Sequence, residues 1–225
     1  MESGVCEQCG AAFAPRREHD RFCSARCRVA WNREGTGDPV VGASALEWSV
    51  PAMGDARRRL AMLSGSDRTS AFAAVSEAVW AVTIVDAAMV RYHPDAYDGV
   101  LADETPMERR LIEESLAGLR FVRNWIPDEA AVADFVEPGA AGEYGVMGWT
   151  WRSVARPALT RRSPGARAWE MARYRAYQAR LAGRTVGEVF ERAEAFLRRT
   201  ATHATSAGDV GASAGVAWHP RHTDR

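Results

Sequence analysis

The chain has 225 residues, 47% of them hydrophobic, enough for one domain of ordinary size with a real core plus a small appendage. Its 29 basic residues are all arginine and match 29 acids, so formal net charge is zero and a global attraction to nucleic acid is excluded. The complete absence of lysine is attributed to GC-rich coding rather than to function.

All four cysteines fall within the first 27 residues, as Cys6-x2-Cys9-Gly10 and Cys23-x3-Cys27. Zinc(II) takes four thiolates in a tetrahedron, and two close pairs on a short folded segment supply them. Gly10 suits the end of a tight knuckle because it adopts positive φ without steric cost. Ser24 is a preferred N-cap, so a helix from there places Cys23 and Cys27 four apart across its first turn. Residues 11 to 22 are expected to form a hairpin, with Phe13, Phe22 and Trp31 packed beneath the site. A fragment this small needs a staple, and one structural zinc is the expected cofactor, leaving no open position for a substrate. Two disulfides are the rival reading. They require an oxidising compartment, and the start Met-Glu-Ser-Gly-Val-Cys-Glu has neither the basic nor the apolar stretch of a signal peptide. His19 stands among charged residues and is read as solvated.

The string Cys6-x2-Cys9-Gly10, an arginine-rich insert, then Phe22-Cys23-Ser24-x2-Cys27-Arg28 resembles treble-clef zinc fingers of the FCS type, including the MYM, TRASH and YacG-like fingers. The resemblance covers residues 6 to about 33. It implies a knuckle, a hairpin and a helix around one zinc held by Cys6, Cys9, Cys23 and Cys27. Fingers of this kind bind nucleic acid in some families and protein in others. Arg16, Arg17, Arg21, Arg26, Arg28 and Arg33 are the candidate phosphate contacts.

The expected organisation is a finger over residues 1–34, a glycine- and proline-rich linker over 35–54, a helical domain over 55–201 and a disordered tail over 202–225. The fold class is mainly α: a helical bundle behind the finger, with a small β-hairpin within 144–154. Residues 69–90 form a central helix, apolar nearly all round, with Val75, Val79, Val82, Asp86 and Val90 on one stripe. The stretch is long enough to cross a bilayer, but Glu77 and Asp86 inside it favour a buried core helix, no membrane association and a cytoplasmic protein. Pro94 stops it. A second long helix runs from an N-cap at Thr105, with Glu108 completing a capping box, to Ile126, burying Leu111, Ile112, Leu116, Leu119, Val122 and Ile126. Shorter helices are expected at 128–136, 165–182 and 186–200.

Charge is segregated. Residues 93–143 hold twelve Asp or Glu against four Arg, and residues 144–187 hold nine Arg against the single Glu170. Either the basic segment binds phosphate or it folds against the acidic one. Asp86 with Arg120 or Arg123 is expected to pair across two long helices, as a structural ion pair or as part of a site. Trp169, Tyr174 and Tyr177 interleave with Arg167, Arg173, Arg175 and Arg180, a combination used for single-stranded nucleic acid and equally compatible with a core face. Arg91, Tyr92, His93, Asp95 and Asp98 form a further cluster.

Gly118-Leu-Arg120-Phe-Val-Arg123-Asn124 is similar to the Arg-Asn core of HEPN domains, all-helical proteins many of which are ribonucleases. Their motif places a histidine after the arginine with four to six residues between. Here the position after four intervening residues is Asp128, and no histidine appears before His203, so the resemblance implies a catalytically degenerate copy. No catalytic constellation emerges. The expected function is a zinc-binding interaction or regulatory protein contacting nucleic acid through the finger and the basic helical segment. The alternatives are a HEPN-like protein of RNA-processing or toxin systems, with Asp86, His93, Arg120, Arg123 and Asn124 around its site, and a protein–protein scaffold.

Overall fold

A computed structural model of the chain describes residues 4–6, 11–15, 22–24, 27, 39–62, 68–126, 132–139, 148–158 and 164–212. Strands β1 (Gly4–Val5) and β2 (Ala12–Phe13) pair antiparallel, with Gly4 opposite Phe13. Among the described residues the helices are α1 (Pro39–Met62), α2 (Arg68–Tyr92), α3 (Pro94–Ala102), α4 (Pro106–Trp125), the single turn α5 (Val132–Phe135), α6 (Pro164–Arg180) and α7 (Val186–Ala212). Strands β3 (Val136–Glu137) and β4 (Thr150–Trp151) make a second antiparallel pair between α5 and α6. The chain is mostly helical, as its sequence pattern implied.

The segment expected to be a linker, 35–54, is helical from Pro39 onward. Leu46, Ser49, Met53, Ala56 and Leu60 recur at three- and four-residue spacing, and all are buried. Pro51 lies inside this helix. An interior proline costs about 3 kcal/mol, and burial of Met53 and Leu60, at about 1.5–3 kcal/mol each, offsets it.

Helix α2 is the centre of the bundle and packs on α1, α4 and α7. Val75, Val79, Val82 and Asp86 are at most 3% exposed, while Val90, expected on the same stripe, is 48% exposed. The helix is long and apolar enough to cross a membrane, and 56% of its most apolar window is buried inside the protein. It ends at Tyr92. Pro94 then occupies the first turn of α3, where a missing amide hydrogen costs nothing. Arg109 closes the far end of α3 by donating to the carbonyls of Leu101 and Ala102.

Helix α4 starts where the capping box placed it. Thr105 is extended, and its hydroxyl accepts from the Glu108 amide at 3.2 Å. Ile112, Leu116, Leu119 and Val122 are buried as expected, with Leu111 and Ile126 only partly so. Gly118 lets α6 approach closely: a Cβ there would lie 3.1 Å from the Tyr177 Cα and 2.7 Å from Leu181 Cδ1.

The helix expected over 128–136 is the turn at 132–135, and residues 127–131 lie outside the described ones. Of the hairpin expected within 144–154, residues 144–147 lie outside the described ones, and Trp151 pairs at longer range with Val136. The reason is in the hydrogen bonds of β4. The Arg152 amide donates to Phe135, while the Trp151 amide donates to Arg184 and the Val186 amide to Trp149, so β4 is clamped between α5 and the α6–α7 turn. Gly183 in that turn has φ +78°, and its amide donates to the Trp151 carbonyl. Trp149 and Trp151 are buried, and Tyr177 donates from its hydroxyl to the Arg152 carbonyl. The tail expected from residue 202 is helical to Ala212. Ala204 is buried, and the hydroxyls of Thr202, Thr205 and Ser206 bond back to carbonyls of the preceding turn.

Candidate functional site: a cysteine cluster and an arginine-lined groove

The strand pair β1–β2 brackets the Cys6–Cys9 segment, and the Cys6 amide donates to the Ala11 carbonyl at 2.9 Å. A hairpin over 11–22 had been expected. Among the described residues the pairing joins residues 4–5 to 12–13, and residues 16–21 of the expected hairpin lie outside them. Ser24 caps as its type predicts: its hydroxyl accepts from the Cys27 amide at 3.1 Å. Together these elements bring Cys6, Cys23 and Cys27 to one point, their sulfurs all within 4.8 Å of one another.

Cys23 Sγ and Cys27 Sγ are 3.5 Å apart. A disulfide needs about 2.05 Å, whereas thiolates at about 2.3 Å from one tetrahedral ion stand about 3.8 Å apart. The spacing fits a shared metal ion. Cys6 is buried at 1% exposure. Cys9, the fourth expected ligand, lies outside the described residues, as do Trp31 and the finger arginines Arg16, Arg17, Arg21, Arg26, Arg28 and Arg33.

A groove of about 710 Å³ runs between α2, α4 and α6. Four arginines line it, Arg91 from α2, Arg120 and Arg123 from α4, and Arg173 from α6, together with Trp80 and Trp169. Asp86 and Glu170, both fully buried, lie behind this lining. Arg120 Nε donates to Asp86 Oδ2 at 2.5 Å, and Tyr97 donates its hydroxyl to Asp86 Oδ1 at 3.0 Å. Burial works against the Arg120 charge, but Asp86 outweighs it and holds the guanidinium above its usual value. Burial, with Asp86 beside it, pushes the Tyr97 hydroxyl well above the ordinary phenol range, so it stays a donor. Asn124 Nδ2 and Trp125 Nε1 each donate to Glu170 at 3.1 Å.

The other arginines use aromatic partners. Arg123 lies over the Trp80 ring at 4.4 Å, and Arg173 over Trp169 at 3.3 Å. Neither makes an ion pair among the described residues, and nor does Arg91, which stacks on Tyr92. Burial, with Arg120 close by, pulls the Arg173 guanidinium down to about 10. The groove therefore carries positive charge that the protein neutralises only in part.

Of the sequence-derived candidates, Arg120, Arg123 and Asn124 line this groove and Asp86 sits behind Arg120. His93 does not line it. It precedes α3, with its Nε2 buried and without a hydrogen-bond partner among the described residues. The basic segment divides. Arg152 and Arg180 pair with Glu137 and Glu114 of the acidic segment, Arg184 pairs with Glu188, and Arg173 faces the groove. Tyr177 is core, while Trp169 is 58% exposed.

Comparisons with protein families, with curated proteins and with solved structures give no match for this chain. Its chemistry must be read from the residues themselves.

Two residues were not singled out from sequence. Tyr97 gave no signal, since one tyrosine in a short helix is ordinary. Glu170 did: it lies four, seven and eleven residues before Tyr174, Tyr177 and Leu181, so helical spacing puts a carboxylate on the buried face.

Proposed function

We propose that the chain is a zinc-binding interaction protein that contacts nucleic acid, with Cys6, Cys9, Cys23 and Cys27 holding one structural zinc. Zinc is the favoured ion because an all-thiolate donor set selects it over harder divalent cations. The observation that carries the nucleic-acid part is the convergence of Arg91, Arg123 and Arg173 on a groove beside two partly exposed tryptophans, without carboxylate partners among the described residues. Cations beside exposed aromatic faces recognise phosphates and bases together. Arg16, Arg17, Arg21, Arg26, Arg28 and Arg33 of the finger would extend the contact surface.

Binding is favoured over strand cleavage. Arginine keeps its proton at neutral pH and asparagine and tryptophan do not titrate there, so the groove's polar lining offers no acid–base pair. In the Arg123-Asn124 step that resembles HEPN domains, the arginine stacks on Trp80 and the asparagine holds Glu170. Fluorescence anisotropy with labelled single- and double-stranded DNA and RNA across a salt series tests this. Affinity should fall steeply with salt, the logarithmic slope reporting the number of phosphates contacted. Absence of binding at low salt would favour a protein scaffold.

A further inference from the structure

Elsewhere on the helices arginines are largely ion-paired, as Arg57, Arg59, Arg180 and Arg199 are with Glu194, Glu77, Glu114 and Glu104. Among the described residues, Arg91, Arg123 and Arg173 in the groove make no ion pair. Asp86 is committed to Arg120, and Glu170 to Asn124 and Trp125, so neither makes an ion pair with Arg123 or Arg173. The guanidinium carbons of Arg123 and Arg173 lie over the Trp80 and Trp169 rings. Their donors lie in the guanidinium plane, so a stacked arginine keeps its fork free for a phosphate while its orientation is set in advance.

We propose that this groove takes one nucleoside phosphate unit, its base stacked on the exposed indole of Trp169 and its phosphate held by Arg173 and Arg123. This deepens the nucleic-acid reading above and rests on it for the source of the nucleotide, which is either free or part of a single strand. At about 710 Å³ the groove falls within the roughly 300–1,000 Å³ of small-ligand sites. An inorganic anion would use the arginines and leave Trp169 58% exposed, whereas a phosphate attached to a flat ring uses both. Burial, and after it the neighbouring Arg120, pull Arg173 down, and a dianion beside it opposes both, so the arginine becomes harder to deprotonate on binding.

Calorimetric titration of the full-length, metal-loaded chain tests this with four probes: thymidine 5′-monophosphate, thymidine, inorganic phosphate and a short oligothymidylate. The monophosphate should bind one per chain, at least about tenfold tighter than thymidine or inorganic phosphate. Arg173→Ala and Trp169→Ala should each weaken it by about tenfold, and Trp169→Phe should restore part of the loss. Arg68→Ala, toward the other end of α2, should leave it unchanged, and thermal melts establish that each variant is folded. Equal affinity for phosphate and monophosphate overturns the proposal, as does affinity indifferent to both groove variants. Oligothymidylate binding that ignores the groove variants, with no mononucleotide binding, removes the groove site and leaves the general nucleic-acid reading to the finger. Mononucleotide binding without oligothymidylate binding keeps the groove as a free-nucleotide site and sinks that general reading.

Discussion

Asp86 sits on the central helix with no solvent exposure, and two other helices supply what holds its charge. Arg120 of α4 is the cation, Tyr97 of α3 the neutral donor. A buried pair adds little over an apolar one, but removing one member strands the other. Arg120→Met should therefore lower stability by about 3 kcal/mol, the lower end of the range because its side chain is 29% exposed. Tyr97→Phe should cost about 1 kcal/mol. Urea unfolding at neutral pH checks both, and an Arg120→Met loss no larger than that of Tyr97→Phe would contradict the account. The Asp86–Arg120 partnership was legible because a carboxylate inside an apolar helix demands a cation. Tyr97 was not, because a neutral donor leaves no mark in charge or periodicity.

Helices α4 and α6 are held at close range by one missing side chain and one polar clasp. Gly118→Ala should gain about 1 kcal/mol in helix propensity. Its Cβ, however, would stand 2.7 Å from Leu181 Cδ1 and 3.1 Å from the Tyr177 backbone, which cannot rotate away. Overpacking costs about 1–3 kcal/mol, so the expected net result is a lower melting temperature; a rise would mean that α6 moves freely away from α4. The clasp is Glu114 with Arg180. Burial pushes the Glu114 carboxyl up, but Arg180 and Arg110 outweigh it and hold it below its usual value. Its contribution is therefore present at neutral pH and lost as acid protonates the group. At this scale α2 and α4 were readable because long apolar stripes and a capping box are local signals. Helix α1 was not: Gly42, Pro51 and Gly54 are punctuation for a loop, and only burial of Leu46, Met53, Ala56 and Leu60 overrides them. The C-terminal extension of α7 was hidden likewise, because an alanine- and threonine-rich run is polar enough to resemble a tail until Ala204 is seen against the core.

Across the whole molecule, the basic segment folds in part against the acidic one. Arg152 and Arg180 are used up against Glu137 and Glu114, while Arg173, from the same basic stretch, faces the groove with Arg91 and Arg123. Which arginine does which depends on helix facing and on partners far away in the chain, so composition alone could not divide them. The grouping of Cys6, Cys23 and Cys27, by contrast, was legible as a spacing, with Cys9 outside the described residues, and the short segment around it sets the last expectation. The bundle buries a core running from Leu46 to Ala204, whereas the described N-terminal residues offer only two-residue strands and a buried Cys6. Metal coordination supplies on the order of 10 kcal/mol to fingers of this size, while the bundle stands on its own apolar burial. Chelation of the ion should therefore unfold the N-terminal segment and leave the helices. Elemental analysis should find one zinc per chain, lost with chelator and in Cys6→Ser or Cys27→Ser. Far-UV circular dichroism should then change little, while protease cuts the chain before α1. Cooperative loss of the helical signal on chelation would show instead that the metal site and the bundle fold as one unit.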